Sequence, residues 1–77
     1  MENRADHDID TTGLPGPLPI LRARASLKEL RSGQTLRVKT SDPKALKDFH
    51  EFARLSGHRL LTIKNPDGSF FVLLQKR

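Results

Sequence analysis

The stretch Gly13-Leu14-Pro15-Gly16-Pro17-Leu18-Pro19-Ile20 is where this chain could do chemistry. Prolines and glycines lead straight into an apolar pattern of helical spacing, so the stretch reads as a fixed turn feeding a helix. The first N–H groups of a helix lack partners, and the peptide dipoles add partial positive charge. Such a start therefore favours an anion, whether a thiolate or a phosphate. The spacing gives Gly16 the cap position and Pro17 the first helical one, where a missing N–H costs nothing. The plain reading is a helix start and nothing more. The sharper one is a residual anion or partner site.

The rest of the chain offers little other chemistry. There is no cysteine, so disulfides and thiolate metal sites are excluded. His7, His50 and His58 fall in no metal-binding spacing, and no metal or other cofactor is expected. His50 is expected at a partly buried edge of the core, and His58 in the turn before a strand. Several acids sit near the N-terminus, and no nucleophile lies at a base's spacing, so an enzyme acting alone is the weakest reading.

Charge points to partners. The net charge of +5 hides an acidic start: Glu2, Asp6, Asp8 and Asp10 oppose only Arg4 in the first ten residues. From residue 11 on, 13 Lys and Arg face 5 Asp and Glu, a surplus of eight positive charges. Such a body suits RNA or an acidic protein surface, and it also simply keeps a small domain soluble. No signal peptide or membrane span is legible, so a cytoplasmic protein with no membrane partner is expected.

These residues need elements to position them, and 77 residues allow one small domain. Residues 1–6 read as a disordered tail and 7–77 as a single domain. Asp8 to Thr12 is a weak first strand. From Pro17 to about Arg31, Ile20, Ala23, Leu27 and Leu30 share one helix side, with Lys28 and Arg31 in the last turn before Ser32-Gly33. Gln34 to Thr40 alternates, with Leu36 and Val38 on one face. Asp42-Pro43 opens a second helix with Leu46, Phe49 and Ala53 inward and Phe52 on the flank, ending near Ser56-Gly57. His58–Lys64 and Ser69–Lys76 form a hairpin across Asn65-Pro66-Asp67-Gly68. The expected fold is an α/β two-layer sandwich, βαβαββ, with two helices on one face of a four-stranded mixed sheet. Some of Leu60, Phe70, Phe71 and Leu73 must then point to the open face, a candidate partner or dimer surface.

The order and its local motifs resemble the TusA (SirA-like) sulfur-carrier family from about Asp8 to Lys76. The echoes are Asp10, Gly13-Leu14, Pro17-x-Pro19, Ser32-Gly33, Asp42-Pro43, Asp48-Phe49-x-x-Phe52-Ala53 and Gly57-His58. The family's Cys-Pro-x-Pro motif falls on Gly16-Pro17-Leu18-Pro19. The resemblance implies sulfur relay between protein partners, such as a cysteine desulfurase and a downstream acceptor, in pathways such as tRNA thiolation. It also implies a chain that, with Gly16 in place of cysteine, carries no persulfide itself. Leu14, Leu18, Leu21, Arg22 and Arg24 would border the docking surface, with Pro17 and Pro19 stiffening the helix start. The rival reading is a small basic module for RNA or an acidic protein, drawing on Arg22, Arg24, Lys28, Arg37, Lys39, Lys44, Lys47 and Arg54. Against RNA, the chain has no Tyr or Trp, and its four Phe fall at core-like positions.

Overall fold

The computed structural model describes residues 5–77, in the order β1 His7–Asp10, α1 Leu18–Lys28, β2 Thr35–Thr40, α2 Pro43–Ser56, β3 Arg59–Lys64 and β4 Phe70–Gln75. The strands form one mixed sheet in the order β1-β2-β4-β3, with β1 parallel to β2 and β4 antiparallel to both neighbours. Both helices cover one face, as the alternation of β2 requires. Leu36 and Val38 are fully buried beneath them, while Thr35, Arg37 and Lys39 lie on the other face.

The core is a single layer. Leu36, Val38, Val72 and Leu74 of the sheet meet Ala23, Leu27, Ala45, Phe49 and Ala53 of the helices. Ile20, Leu30, Leu46, Phe52 and Leu60 pack around it. Leu60 therefore faces the helices, as does Phe70 by its register with Lys64 and Thr40. Phe71 and Leu73 take the open face, joined there by Leu61 and Ile63 from β3. Arg37 lies over the Phe71 ring at 4.7 Å and donates from Nε to Asp8 Oδ1 at 2.6 Å and from Nη2 to Asp8 Oδ2 at 2.9 Å.

α2 starts and stops where its residues say. Asp42 caps it by accepting from the Lys44 N–H at 2.9 Å, and Gly57 closes it in the left-handed region, φ +76°. α1 ends at Lys28, three residues short of the expected Arg31, so Arg31 lies beyond the helix. Two causes act together. The Glu29 and Leu30 N–H groups reach back only three residues, to Ser26 and Leu27, tightening the last turn. Lys76, at the far end of the chain, donates from Nζ to the carbonyls of Leu27 and Leu30 at 2.6 Å each, which removes the need for further turns.

The first strand also differs from expectation. It runs from His7 to Asp10, because the Asp10 carboxylate accepts the Thr12 N–H at 2.8 Å and turns the chain there. Asp6, expected in the tail, is tied to Thr35: its N–H donates to Thr35 O at 3.0 Å, and its carboxylate accepts the Thr35 N–H at 2.8 Å. Residues 1–4 of the expected tail lie outside the described residues.

Phe49→Ala should cost about 3–5 kcal/mol, since it empties the largest fully buried side-chain volume of the layer. Asp42→Ala should cost about 1 kcal/mol through the lost cap. Urea unfolding of both variants reads the difference; equal costs would mean that α2 is held by its start rather than by its packing.

Candidate functional site

The turn before α1 is held from behind by β2. Thr11, fully buried, donates its N–H and its hydroxyl to Lys39 O at 2.8 and 2.7 Å. The Gly13 N–H donates to Ser41 Oγ at 3.1 Å, and the Leu14 N–H folds back to Thr11 O at 3.0 Å. Pro15, Gly16 and Pro17 then project into solvent, while Pro19 is buried against the core side of α1.

The cap is displaced by one residue from the sequence reading. Pro17, not Gly16, is the N-cap, at φ −82° and ψ 0°, and no side chain caps the helix. Leu18 and Pro19 are the first two helical residues, and the Leu21 N–H closes the first turn on Pro17 O at 3.1 Å. The two prolines delete two donors from this start, and the Leu18 N–H is turned to Pro15 O at 3.3 Å. From residue 16 to residue 20 only the N–H groups of Gly16 and Ile20 remain for an outside anion. The bare helix start is thus a weaker anion site than its position suggests.

Gly16 explains the displacement. Its φ of +57° lies in the left-handed region, which costs a residue with a Cβ about 1–2 kcal/mol. A Cβ placed there would meet nothing within 4 Å, so the obstacle to a side chain is backbone conformation and not space.

Of the expected docking residues, the structure separates two sets. Leu18 and Leu21, 42% and 50% exposed, share the outer side of α1 with Arg22, facing away from the sheet. Leu14 is half-buried in the turn. Arg24 lies on the side toward α2, its guanidinium 5.9 Å from the centre of the Phe52 ring. It belongs to a groove of about 350 Å³ that begins at Pro17 and Ile20 and crosses to Asp48, Phe52 and Leu55. Leu55 is 72% exposed, and Glu51 at the groove's edge is held by Arg54 of the next turn. Sequence reasoning missed Asp48, Glu51 and Leu55 as surface companions of the turn. Their spacing on α2 puts them on the flank beside Phe52, yet which flank faces α1 is set by packing alone.

The histidines scatter. His7 and His50 are exposed, so His50 does not edge the core. His58 lies in the turn before β3, as expected, and its Nδ1 accepts the Arg77 N–H at 3.0 Å. Among the described residues no group of His, Asp and Glu could hold a metal ion, and no helix is long and apolar enough to cross a membrane.

The chain is similar throughout to known proteins. The family described as Sulfurtransferase TusA matches residues 7–76. The sulfur carrier protein TusA of Allochromatium vinosum is 44% identical over 71 residues, covering 92% of this chain and 93% of that one. The crystal structure of the SirA-like protein from Desulfitobacterium hafniense superposes with a TM-score of 0.84 at 23% identity, covering 90% of this chain and 95% of that chain.

Gly16→Ala should cost about 1 kcal/mol by backbone strain alone. Gly57→Ala should cost more, because its Cβ would also come within 2.9 Å of the Arg77 side chain. Denaturant midpoints test the order. A neutral Gly16→Ala would show that the turn relaxes freely to negative φ.

Proposed function

Because the chain belongs to the TusA sulfurtransferase family, we propose that it acts in sulfur relay through protein partners, docking where a sulfur carrier docks but accepting no sulfur. The observation behind this reading is Gly16. It stands at the position of the family's persulfide-forming cysteine, exposed, with open space where a side chain would project, on a turn still tied to Lys39 and Ser41. A protein that occupies a desulfurase or a downstream acceptor without taking sulfur reduces transfer by mass action. The role is therefore regulation of a relay, such as one feeding tRNA thiolation. Partner docking falls to the turn, to Leu18, Leu21 and Arg22 outside it, and to the Arg24 groove beside it.

The basic residues fit this reading better than an RNA-tracking surface. Arg37 and Lys39 lie on the open sheet face, opposite the helices that carry the others. Arg37 is engaged by Asp8 and Arg54 by Glu51. A phosphate-tracking surface needs its cations on one side.

Gly16→Cys tests the site. Its thiolate would attack the outer sulfur of the desulfurase's cysteine persulfide; the S–S bond to the desulfurase breaks, the desulfurase leaves as thiolate, and the variant holds the persulfide. Mass spectrometry after incubation with desulfurase and cysteine should show a single reducible sulfur on the variant and none on the parent. In competition, excess parent should slow sulfur loading of a thiol-bearing family member in proportion to the desulfurase it occupies. A folded Gly16→Cys that gains no sulfur, with a parent that does not compete, overturns the reading. Salt-sensitive RNA binding, lost on reversing the charges of Arg22 and Arg24, would then be the reading to test.

A further inference from the structure

Beyond the turn and its groove, the far end of the helical layer holds a second cleft, of about 210 Å³, between the last turns of α1, Phe52 of α2 and the segment after β4. Leu27 and Phe52 form an apolar floor, and the polar lining is cationic or imidazole throughout: Arg24, Lys28, His58 and Lys76. A water takes about 30 Å³ of liquid volume, so the cleft admits a group several times larger.

We infer that this cleft binds a small doubly charged oxyanion of the phosphate or sulfate class, either free or as the phosphate of a nucleotide. The inference is independent of the sulfur reading.

Convergence of like charge carries it. A charged face is ordinarily solvated, its cations splayed apart or interleaved with acids. Here Arg24 lies against the Phe52 ring, Lys76 is drawn in by the carbonyls of Leu27 and Leu30, and Lys28 closes the α1 side. Among the described residues no carboxylate pairs with Arg24, Lys28, Lys76 or Arg77. The nearest acids on α2, Asp48 and Glu51, border the neighbouring groove, and Glu51 is taken by Arg54. Arg59, next to His58, lies on the open sheet face with Leu61 and Ile63.

The donors are also arranged for an acceptor. Lys76 spends two of its three N–H bonds on α1 carbonyls and keeps one. His58 Nδ1 accepts from the Arg77 N–H, which puts the proton of the neutral ring on Nε2, where it can donate. The Phe52 and His58 rings, 5.4 Å apart and tilted by 54°, put aromatic surface beside the cations on which an attached base could stack. In agreement, the His58 pKa is held below the ordinary imidazole value by burial first, then by the Lys76 and Arg77 charges. An anion would relieve the part of that lowering that comes from the Lys76 and Arg77 charges.

The test is an NMR pH titration of the His58 ring in sodium sulfate and in sodium chloride at matched ionic strength. Sulfate should raise the His58 pKa toward the ordinary imidazole range, and by reciprocity sulfate should bind more tightly as pH falls through that pKa. Arg24→Gln and Lys28→Gln, both surface changes, should each weaken sulfate and phosphate about five-fold, while Lys44→Gln should have no effect. Inorganic phosphate and AMP separate the two sources. Equal affinities mean a free oxyanion; tighter AMP binding with shifts at the Phe52 ring means a nucleotide. The proposal is overturned if His58 titrates alike in both salts, or if the Arg24 and Lys28 variants respond to sulfate as the parent does.

Discussion

Everything in this fold depends on one apolar layer, because a chain of 77 residues without cysteine has no second core and no covalent cross-link to fall back on. Its composition is uneven in a useful way. Three of the buried helical residues are alanines, Ala23, Ala45 and Ala53, which bring helix backbones close to the sheet and leave Phe49 to fill the centre. Close approach makes the flanks matter. Phe52, one turn from Phe49, is pushed to the rim, where it carries Arg24 on its face and borders two clefts of the helical face.

The ends of the elements follow from how orphan backbone groups are satisfied. α2 is satisfied locally, by Asp42 and Gly57, and its bounds could be read from those residues. So, to within one residue at its start, could β2, whose strict alternation matches its burial residue by residue, and the Asn65 to Gly68 turn, where the Asn65 N–H bonds Ser69 O at 2.8 Å. α1 is satisfied from a distance, by Lys76, 46 and 49 residues away in sequence. No local pattern carries that information, and the expected end at Arg31 was three residues late for that reason.

The candidate site was legible to the same degree. That Gly16-Pro17-Leu18-Pro19 opens a helix could be read from residue types. That the cap shifts to Pro17 could not, since it rests on a backbone angle at Gly16 that a glycine permits without requiring. The grouping of Leu14, Leu18, Leu21, Arg22 and Arg24 as one border also dissolved in three dimensions. Neighbours in sequence on a helix point in different directions, and the α2 residues facing Arg24 are more than twenty positions away.

The displaced cap bears on what residue 16 can do at such a helix start. A cysteine at residue 16 gains from helix N–H groups only if the backbone turns its side chain toward them. With glycine there, nothing opposes the left-handed conformation, and the helix starts after Pro17. Pro17 and Pro19 withhold their two donors whatever residue stands at 16. What survives is what does not depend on residue 16: the Thr11 and Gly13 anchors on Lys39 and Ser41, the exposed leucines of α1, and the Arg24 groove. In the proposed reading those are the parts a protein partner would touch, and none of them needs sulfur.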